Sequence, residues 1–244
     1  MSRPLPDTDI YYPYSDGQPI AESDFQLKPM IYAIEALSAH FQERADVYVA
    51  GDMFVYYEEG NPKAVVAPDV FVVIGAPKHD RFSYMLWKEP KAPDFILEIT
   101  SKSTRGEDQG SKRGTYASIG VSEYWQYDPT GDYLSPPLQG LRLVGENYER
   151  LPATVSKGGF MSLHSAVLGL EFRLENGKLR FYDPATDQNL LTRQEIEQAR
   201  RQAEQARSEA EIQLQQEQAA RKTAENRIAE LEAQLQALQR KPDD

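Results

Sequence analysis

The chain has 244 residues, of which 40% are hydrophobic, a formal net charge of −11 and no cysteine. This composition suffices for one sizeable core and perhaps a second element, and it excludes disulfides and thiolate metal sites. The acidity argues against a general nucleic-acid coat protein, because such proteins neutralise phosphates with lysine and arginine.

The N-terminal part of the chain predicts an extended arm followed by a helix. Residues 1–21 are polar and proline-rich, unlike a signal peptide, and no apolar run in the chain approaches the roughly 18–20 residues that span a bilayer. We therefore expect a cytoplasmic protein with no membrane partner. The next segment, "DFQLKPMIYAIEALSAHFQ", predicts a helix, because its apolar residues fall on one stripe: Met30, Ile34, Leu37 and Phe41.

Three apolar segments then predict strands. "DVYVAGDMFVYY" and "AVVAPDVFVVIG" are each interpreted as one strand, separated by the breaker-rich turn "EEGNP". Residues 76–92 predict a polar loop. The third strand, "DFILEIT", alternates its faces, with Phe95, Leu97 and Ile99 on one side and Asp94, Ile96, Glu98 and Thr100 on the other.

Glu98 is the unusual residue of the third strand, because an unpaired carboxylate among apolar neighbours is costly to desolvate. A salt bridge, an edge strand open to water, or a cation site would each explain it. Asp69 stands in a similar apolar setting on the preceding strand. Two carboxylates on neighbouring strands repel each other unless a positive charge lies between them, and Mg²⁺ commonly takes one or two such ligands. Spacing alone leaves the three explanations open.

Two lysines that follow the third strand could bring positive charge to Glu98. Lys102 falls in "TSKST", where serine and threonine favour a turn. A helix over about 107–118 would hold Lys112 one turn after Asp108 and one turn before Tyr116. Because helices hold functional groups more precisely than loops, we expect Lys112 to serve the site.

The C-terminal half of the chain changes in character. "SEYWQYD" predicts another strand, and "LRLVGENYERL" and "LEFRLENGKLRFYD" predict two hairpins. From about Leu190 there is no glycine or proline until Pro242, and apolar residues recur at spacings of three and four. This pattern predicts a long helix that pairs chains as a weak coiled coil, with a solitary charged helix as the alternative.

Several ordered motifs resemble the Uma-two (Uma2) family of restriction-endonuclease domains. They are "APDVFVV", then "APDFILEITSKSTRGEDQGSKRGTYASIGVSEYWQYDP", and the resemblance runs from roughly residue 23 to 185. It implies the PD-(D/E)XK nuclease fold, an α/β fold with a mixed sheet flanked by helices, here with β-hairpins after the core and a long C-terminal helix. The implied domains are an arm at 1–21, a nuclease domain at 22–188 and a helix or coiled coil at 189–241.

The resemblance also implies a metal site. Asp69 would be the first ligand of Mg²⁺ or Mn²⁺, Glu98 the second, and the backbone carbonyl of Ile99 the third. Glu35 matches the helix glutamate of the fold less securely. Asp94 is a further possible site residue, although capping or orienting the backbone is its commoner role.

One departure from the nuclease pattern concerns the lysine. Thr100 stands two residues after Glu98, where the simplest pattern has lysine. The resemblance implies that in this family the lysine lies on the helix after the strand, which points to Lys112.

The implied function is metal-dependent hydrolysis of phosphodiester bonds, with nucleic acid, specifically DNA, as the substrate. We also expect homo-oligomers formed through the C-terminal helix. The competing hypothesis is a non-catalytic nuclease-fold module that binds or assembles through its coiled coil, and the acidic charge favours this alternative.

Overall fold

The computed structural model describes residues 10–15, 23–101, 106, 110–155 and 158–239. The chain divides into two compact units after Thr192. The first unit holds the sheets and the candidate site, and the second is a long helix. None of the helices in the described ranges is both long and apolar enough to cross a membrane.

The helices used below are α1 (Asp24–His40), α2 (Ser111–Ser118) and α3 (Arg193–Gln239). The strands are, in chain order, β1 (Val47–Ala50), β2 (Val55–Tyr56), β3 (Val65–Val66), β4 (Val70–Ile74), β5 (Tyr84–Met85), β6 (Phe95–Ile99), β7 (Glu123–Tyr127), β8 (Leu138–Val144), β9 (Asn147–Arg150), β10 (Thr154–Val155), β11 (Met161–Ser165), β12 (Leu170–Glu175), β13 (Lys178–Asp183) and β14 (Gln188–Asn189).

The main sheet has six strands in the order β1-β4-β6-β7-β8-β9. Its pairs are antiparallel except β6 with β7, which run parallel. A second sheet has the order β10-β11-β12-β13-β14, and a small sheet has the order β3-β2-β5. The two predicted hairpins are β8–β9 and β12–β13. The latter turns at Asn176 and Gly177, which both take positive φ and suit the tight turn.

Both segments predicted as single long strands are broken in the structure. Residues 46–57 form β1 and β2, which belong to different sheets, and the chain turns between them at Asp52 with φ of 49°. Residues 64–75 form β3 and β4, separated around Pro68. Proline cannot donate to a ladder, so this break has a local cause. The loop predicted at 76–92 contains the short strand β5.

Hydrophobic side chains cover both faces of the main sheet. On one face, α1 and the second sheet pack over the β4, β6 and β7 side chains Val72, Phe95, Leu97 and Trp125. The Trp125 ring stacks on Phe172 with a centroid distance of 4.0 Å. On the other face, α2 and the small sheet enclose a cluster rich in tyrosine, including Tyr84, Tyr116 and Tyr124. A strand buried on both faces explains why the β6 sequence is apolar on both.

The predicted fold class is confirmed: a mixed sheet is flanked by helices, hairpins follow the core, and a long helix ends the chain. Helix α3 spans 47 residues. Several of its apolar side chains are exposed, among them Ile212, Leu214, Ile228, Leu231 and Leu235. Pairing of chains through α3 and the domain limits inferred from sequence stay predictions.

Candidate active site

Asp69 and Glu98 lie at the same end of the neighbouring inner strands β4 and β6. The register of the antiparallel pair β4–β6 sets Val70 opposite Leu97. Asp69 immediately precedes β4, and its carboxylate bonds to the backbone N–H of Ile99, the residue after Glu98. The two residues predicted from sequence therefore lie at neighbouring strand ends, Asp69 just before β4 and Glu98 near the end of β6.

Close backbone packing fixes the position of Asp69. The Asp69 carboxylate accepts a hydrogen bond of 2.6 Å from the backbone N–H of Ile99. Gly51 packs against the other side, where a Cβ atom would lie 2.1 Å from the Asp69 carbonyl oxygen. A side chain at position 51 would therefore displace Asp69. The Ile99 peptide, predicted to supply a ligand through its carbonyl, stands beside Asp69 through its N–H group.

Glu98 is buried and is held by two side chains of α2. Only 1% of the surface of Glu98 is exposed. Lys112 Nζ lies 3.0 Å from one carboxylate oxygen, and the Tyr116 hydroxyl donates to the other at 2.5 Å. Lys112 and Tyr116 are four residues apart, one helical turn, so both can reach the same carboxylate. Sequence reasoning noted the spacing of Tyr116 from Lys112 but missed its hydrogen bond to Glu98.

Burial and nearby carboxylates change the pKa of the Tyr116 hydroxyl. Burial, and next the neighbouring Glu98 carboxylate, raise the pKa of Tyr116 well above its ordinary value. The Asp69 carboxylate contributes in the same direction. Both acids therefore lie close enough to act on one phenol, which remains a neutral donor at physiological pH.

A second buried glutamate differs from Glu98 in its surroundings. Glu123, at 0% exposure, accepts hydrogen bonds from Trp125 Nε1, the Ser165 hydroxyl and the Arg142 guanidinium. Its partners come from the second sheet and from β7 and β8. This carboxylate joins the two sheets, which is a structural role.

Asp128 is also buried and serves the loop after β7. Its carboxylate accepts bonds from the N–H groups of Thr130, Gly131, Tyr133 and Leu134. Burial alone would raise the pKa of Asp128, but these hydrogen bonds outweigh it and hold the pKa below the ordinary value.

Asp94 and Glu35 do not join the pair in the described contacts. Asp94 accepts the N–H of Ile74 at 2.8 Å and is paired with Lys91. It lies four residues before Glu98, about 13 Å away along the strand, so it orients the backbone at the opposite end. The suggestion that Asp94 shares the site is therefore wrong in geometry.

Glu35 is exposed on α1, which packs on the other face of the sheet. Its neighbour Ile34 reaches the backbone at Gly51, near Asp69. Glu35 thus lies toward the same end of the sheet as Asp69, and its role in the site stays a prediction. Lys102 and Asp108 lie outside the described residues.

The donor set suits a hard divalent cation with few protein ligands. No group of three or more His, Cys, Asp or Glu side chains that could hold a metal occurs in the described part of the chain. Two carboxylates are compatible with Mg²⁺, which keeps several waters and takes further oxygens from a phosphate substrate. The described residues place the Lys112 ammonium beside Glu98 and no third carboxylate there.

Similarity to known proteins identifies the family of the chain. No curated protein matches the chain. Among solved structures, it is similar to a "putative nuclease belonging to DUF820" from Anabaena variabilis, with 12% identity, a TM-score of 0.44, and coverage of 64% of this chain and 81% of that one. The family model named Uma2, described as "Putative restriction endonuclease", matches residues 3–175. The chain thus belongs to the Uma2 family, as the sequence motifs indicated.

Proposed function

We propose that this protein is a metal-dependent endonuclease that hydrolyses phosphodiester bonds, with DNA as its substrate. One observation carries the proposal: Asp69 bonds to the backbone of Ile99, the residue after Glu98, and Lys112 pairs with the buried Glu98 carboxylate. The family description supports nuclease activity in general. The metal and the choice of DNA go beyond that description.

Asp69 and Glu98 would hold Mg²⁺ or Mn²⁺ together with the Ile99 peptide. When bound, such an ion polarises a phosphoryl oxygen and lowers the pKa of its water, so that hydroxide forms near neutral pH. Asp69 is half-buried and Glu98 is almost fully buried. Substrate would therefore approach the ion from the more exposed side, at Asp69, while Glu98 would bind the ion on its buried side.

Lys112 has two tasks in this proposal. Without substrate its ammonium pairs with Glu98, which offsets the repulsion between the two carboxylates. Its side chain is 15% exposed, so the charged end can turn from Glu98 toward a phosphate at the mouth of the site. There it would stabilise charge that develops on the phosphate oxygens, and the loss of such a donor costs about 10²–10³ in rate. Tyr116 would keep Glu98 oriented through its hydrogen bond.

The test is Mg²⁺-dependent cleavage of plasmid and single-stranded DNA, with an RNA of the same sequence beside them. Wild type should cleave DNA, while Glu98→Gln and Asp69→Asn should lose cleavage. Glu171→Gln, in the second sheet, is the matched control and should retain it. Lys112→Ala should lower kcat by about 10²–10³. Full activity of Glu98→Gln, or an inactive Lys102→Ala beside an active Lys112→Ala, would contradict the assigned roles.

A second candidate is a nuclease-fold module without catalysis, acting through its helix. The Lys112–Glu98 pair favours it, because this pair neutralises the buried carboxylate with no ion. The net charge of −11 and the exposed apolar residues of α3 point the same way. Absence of cleavage by wild type on all three nucleic acids, together with no stabilisation by Mg²⁺ or Mn²⁺, would favour this module over the enzyme.

A further inference from the structure

A pocket lies at the carboxyl ends of the parallel strands β6 and β7, and its lining begins two residues after Glu98. It has a volume of about 320 Å³. Its lining combines the start of α1, the residues after β6 and the loop after β7, and is rich in hydroxyl groups: Ser23, Thr100, Ser101, Thr130 and Tyr133. We call these five residues the hydroxyl pocket.

Thr100 carries a polar group with no described use. The residue is 1% exposed, and its backbone N–H continues the ladder by donating to the Tyr127 carbonyl at 2.8 Å. Its buried Oγ1 atom has no hydrogen-bond partner in the part of the chain that the structure describes. A buried hydroxyl left unpaired costs about 1–3 kcal/mol, so Thr100 can gain stability from a hydrogen-bond partner that the described residues do not supply.

The same pocket receives the N-terminus of α1, which has 17 residues. The first N–H groups of a helix lack intrahelical acceptors, and the helix dipole adds positive potential there. The N-cap residue Ser23 makes no side-chain capping bond. Asp24, the acid of the first turn, is exposed and paired with Lys28 at 2.7 Å, which offsets its negative charge.

We propose that the hydroxyl pocket binds a phosphate group, namely a phosphate of the nucleic-acid strand next to the one at Asp69 and Glu98. This inference rests on the proposed function for its substrate. A phosphate supplies acceptors for the Thr100 hydroxyl and for the helix N-terminus, and anions bind readily at such ends. Thr100 is two residues beyond Glu98, about 6.6 Å along the strand, which is short enough for one nucleic-acid strand to contact both positions.

Thr100→Val tests the pocket, because it removes the hydroxyl and keeps the shape of the side chain. Thr154→Val is the control, since the Thr154 hydroxyl bonds to Ser162 in the second sheet, away from the pocket. The first probe is inorganic phosphate, followed by a 5′-phosphorylated dinucleotide, with thermal unfolding as the readout. Both probes should stabilise wild type and Thr154→Val, and should bind Thr100→Val at least about tenfold more weakly.

Cleavage kinetics give the second readout. If Thr100 holds a neighbouring phosphate equally in ground and transition states, Thr100→Val should raise KM for DNA at least about tenfold and leave kcat unchanged. Urea unfolding without ligand should show Thr100→Val no less stable than wild type, because the hydroxyl has no protein partner to lose.

Equal stabilisation of Thr100→Val and wild type by phosphate would overturn the pocket, as would no stabilisation of wild type by either probe. Lower stability of Thr100→Val without ligand, with unchanged binding, would also overturn it, because a trapped water would then explain the hydroxyl. If Thr100-dependent binding is found but no nucleic acid is cleaved, the pocket stands and the proposed nuclease function fails.

Discussion

Replacement of Lys112 by methionine should destabilise the protein by about 2–3 kcal/mol at neutral pH. The change keeps most of the side-chain volume and removes the charge beside Glu98. Breaking a fully buried ion pair costs about 3–5 kcal/mol, and a hydrogen bond to a charged group contributes about 1.5–3 kcal/mol. Glu98 has a side-chain exposure of 1%, but that of Lys112 is 15%, so water recovers part of the loss and the lower range applies.

Urea denaturation measures this effect, with Lys28→Met as the matched control. Lys28 forms an ion pair with Asp24 in α1, and the two side chains are 73% and 76% exposed. Exposed helix pairs contribute about 0.3–0.5 kcal/mol, so this variant should unfold almost as wild type does. In Glu98→Gln the carboxylate is gone, and Lys112→Met should then add much less destabilisation. Equal effects of Lys112→Met in both backgrounds would refute the ion pair as the cause.

Mg²⁺ extends the same experiment to the proposed metal site. In Lys112→Met, Asp69 and Glu98 lack the lysine charge, so a divalent ion should bind more tightly than in wild type. An ion present at 100 times its Kd stabilises the native state by about 2.7 kcal/mol, which would restore most of the loss. If Mg²⁺ and Mn²⁺ leave the stability of Lys112→Met unchanged, the two carboxylates are not a cation site.

Three further outcomes follow from described contacts. Tyr116→Phe should destabilise the protein by about 1.5–3 kcal/mol in thermal or urea unfolding, because it removes the hydrogen bond to Glu98. This variant should also lose less stability than wild type as the pH rises above about 10, because the phenol ionises there in the unfolded state while the raised pKa of Tyr116 keeps it neutral in the folded state. The same pH slope in both proteins would contradict this. Gln126→Leu should be neutral or stabilising by about 1 kcal/mol, since the buried Nε2 finds no acceptor among the described residues, and a loss above about 2 kcal/mol would show that the amide is bonded. Sedimentation should show a larger assembly for the full chain than for a chain ending at Thr192, because α3 exposes Leu231 and Leu235; equal monomeric masses would end that idea.

The local pattern of the sequence determined much of what lies along the chain. The alternation in "DFILEIT" set Glu98 on the face opposite Phe95 and Leu97, and β6 has that arrangement. Asn-Gly at 176–177 predicted the hairpin, because those residues accept the positive φ of a tight turn. The absence of glycine and proline predicted α3. Each of these features depends on neighbours within a few residues, so periodicity and turn chemistry were sufficient.

Contacts between distant segments were decided only by the tertiary structure. Asp69 lies beside the end of β6 because β4 and β6 pair in one register, and a shift by one residue would turn every side chain of the strand to the other face. Sequence periodicity gives the face of a strand but not its partner or register. The break after Ala50 likewise follows from tertiary structure, since β1 and β2 join different sheets although the pattern predicted a single strand.

The composition of the site shows the same division. Motif resemblance pointed to Lys112, and its spacing from Tyr116 was visible in the sequence, but the hydrogen bond from Tyr116 to Glu98 needs α2 to lie over β6. Asp94 had the same strand setting as Glu98, yet the pairing of β4 with β6 directs it to the Ile74 backbone. The sequence alone identified Glu98 as a carboxylate in a buried strand, but it did not identify Glu123, which is 0% exposed in β7. The tertiary structure decided which carboxylates lie near each other, because the distance between two side chains depends on strand pairing and helix packing across the core.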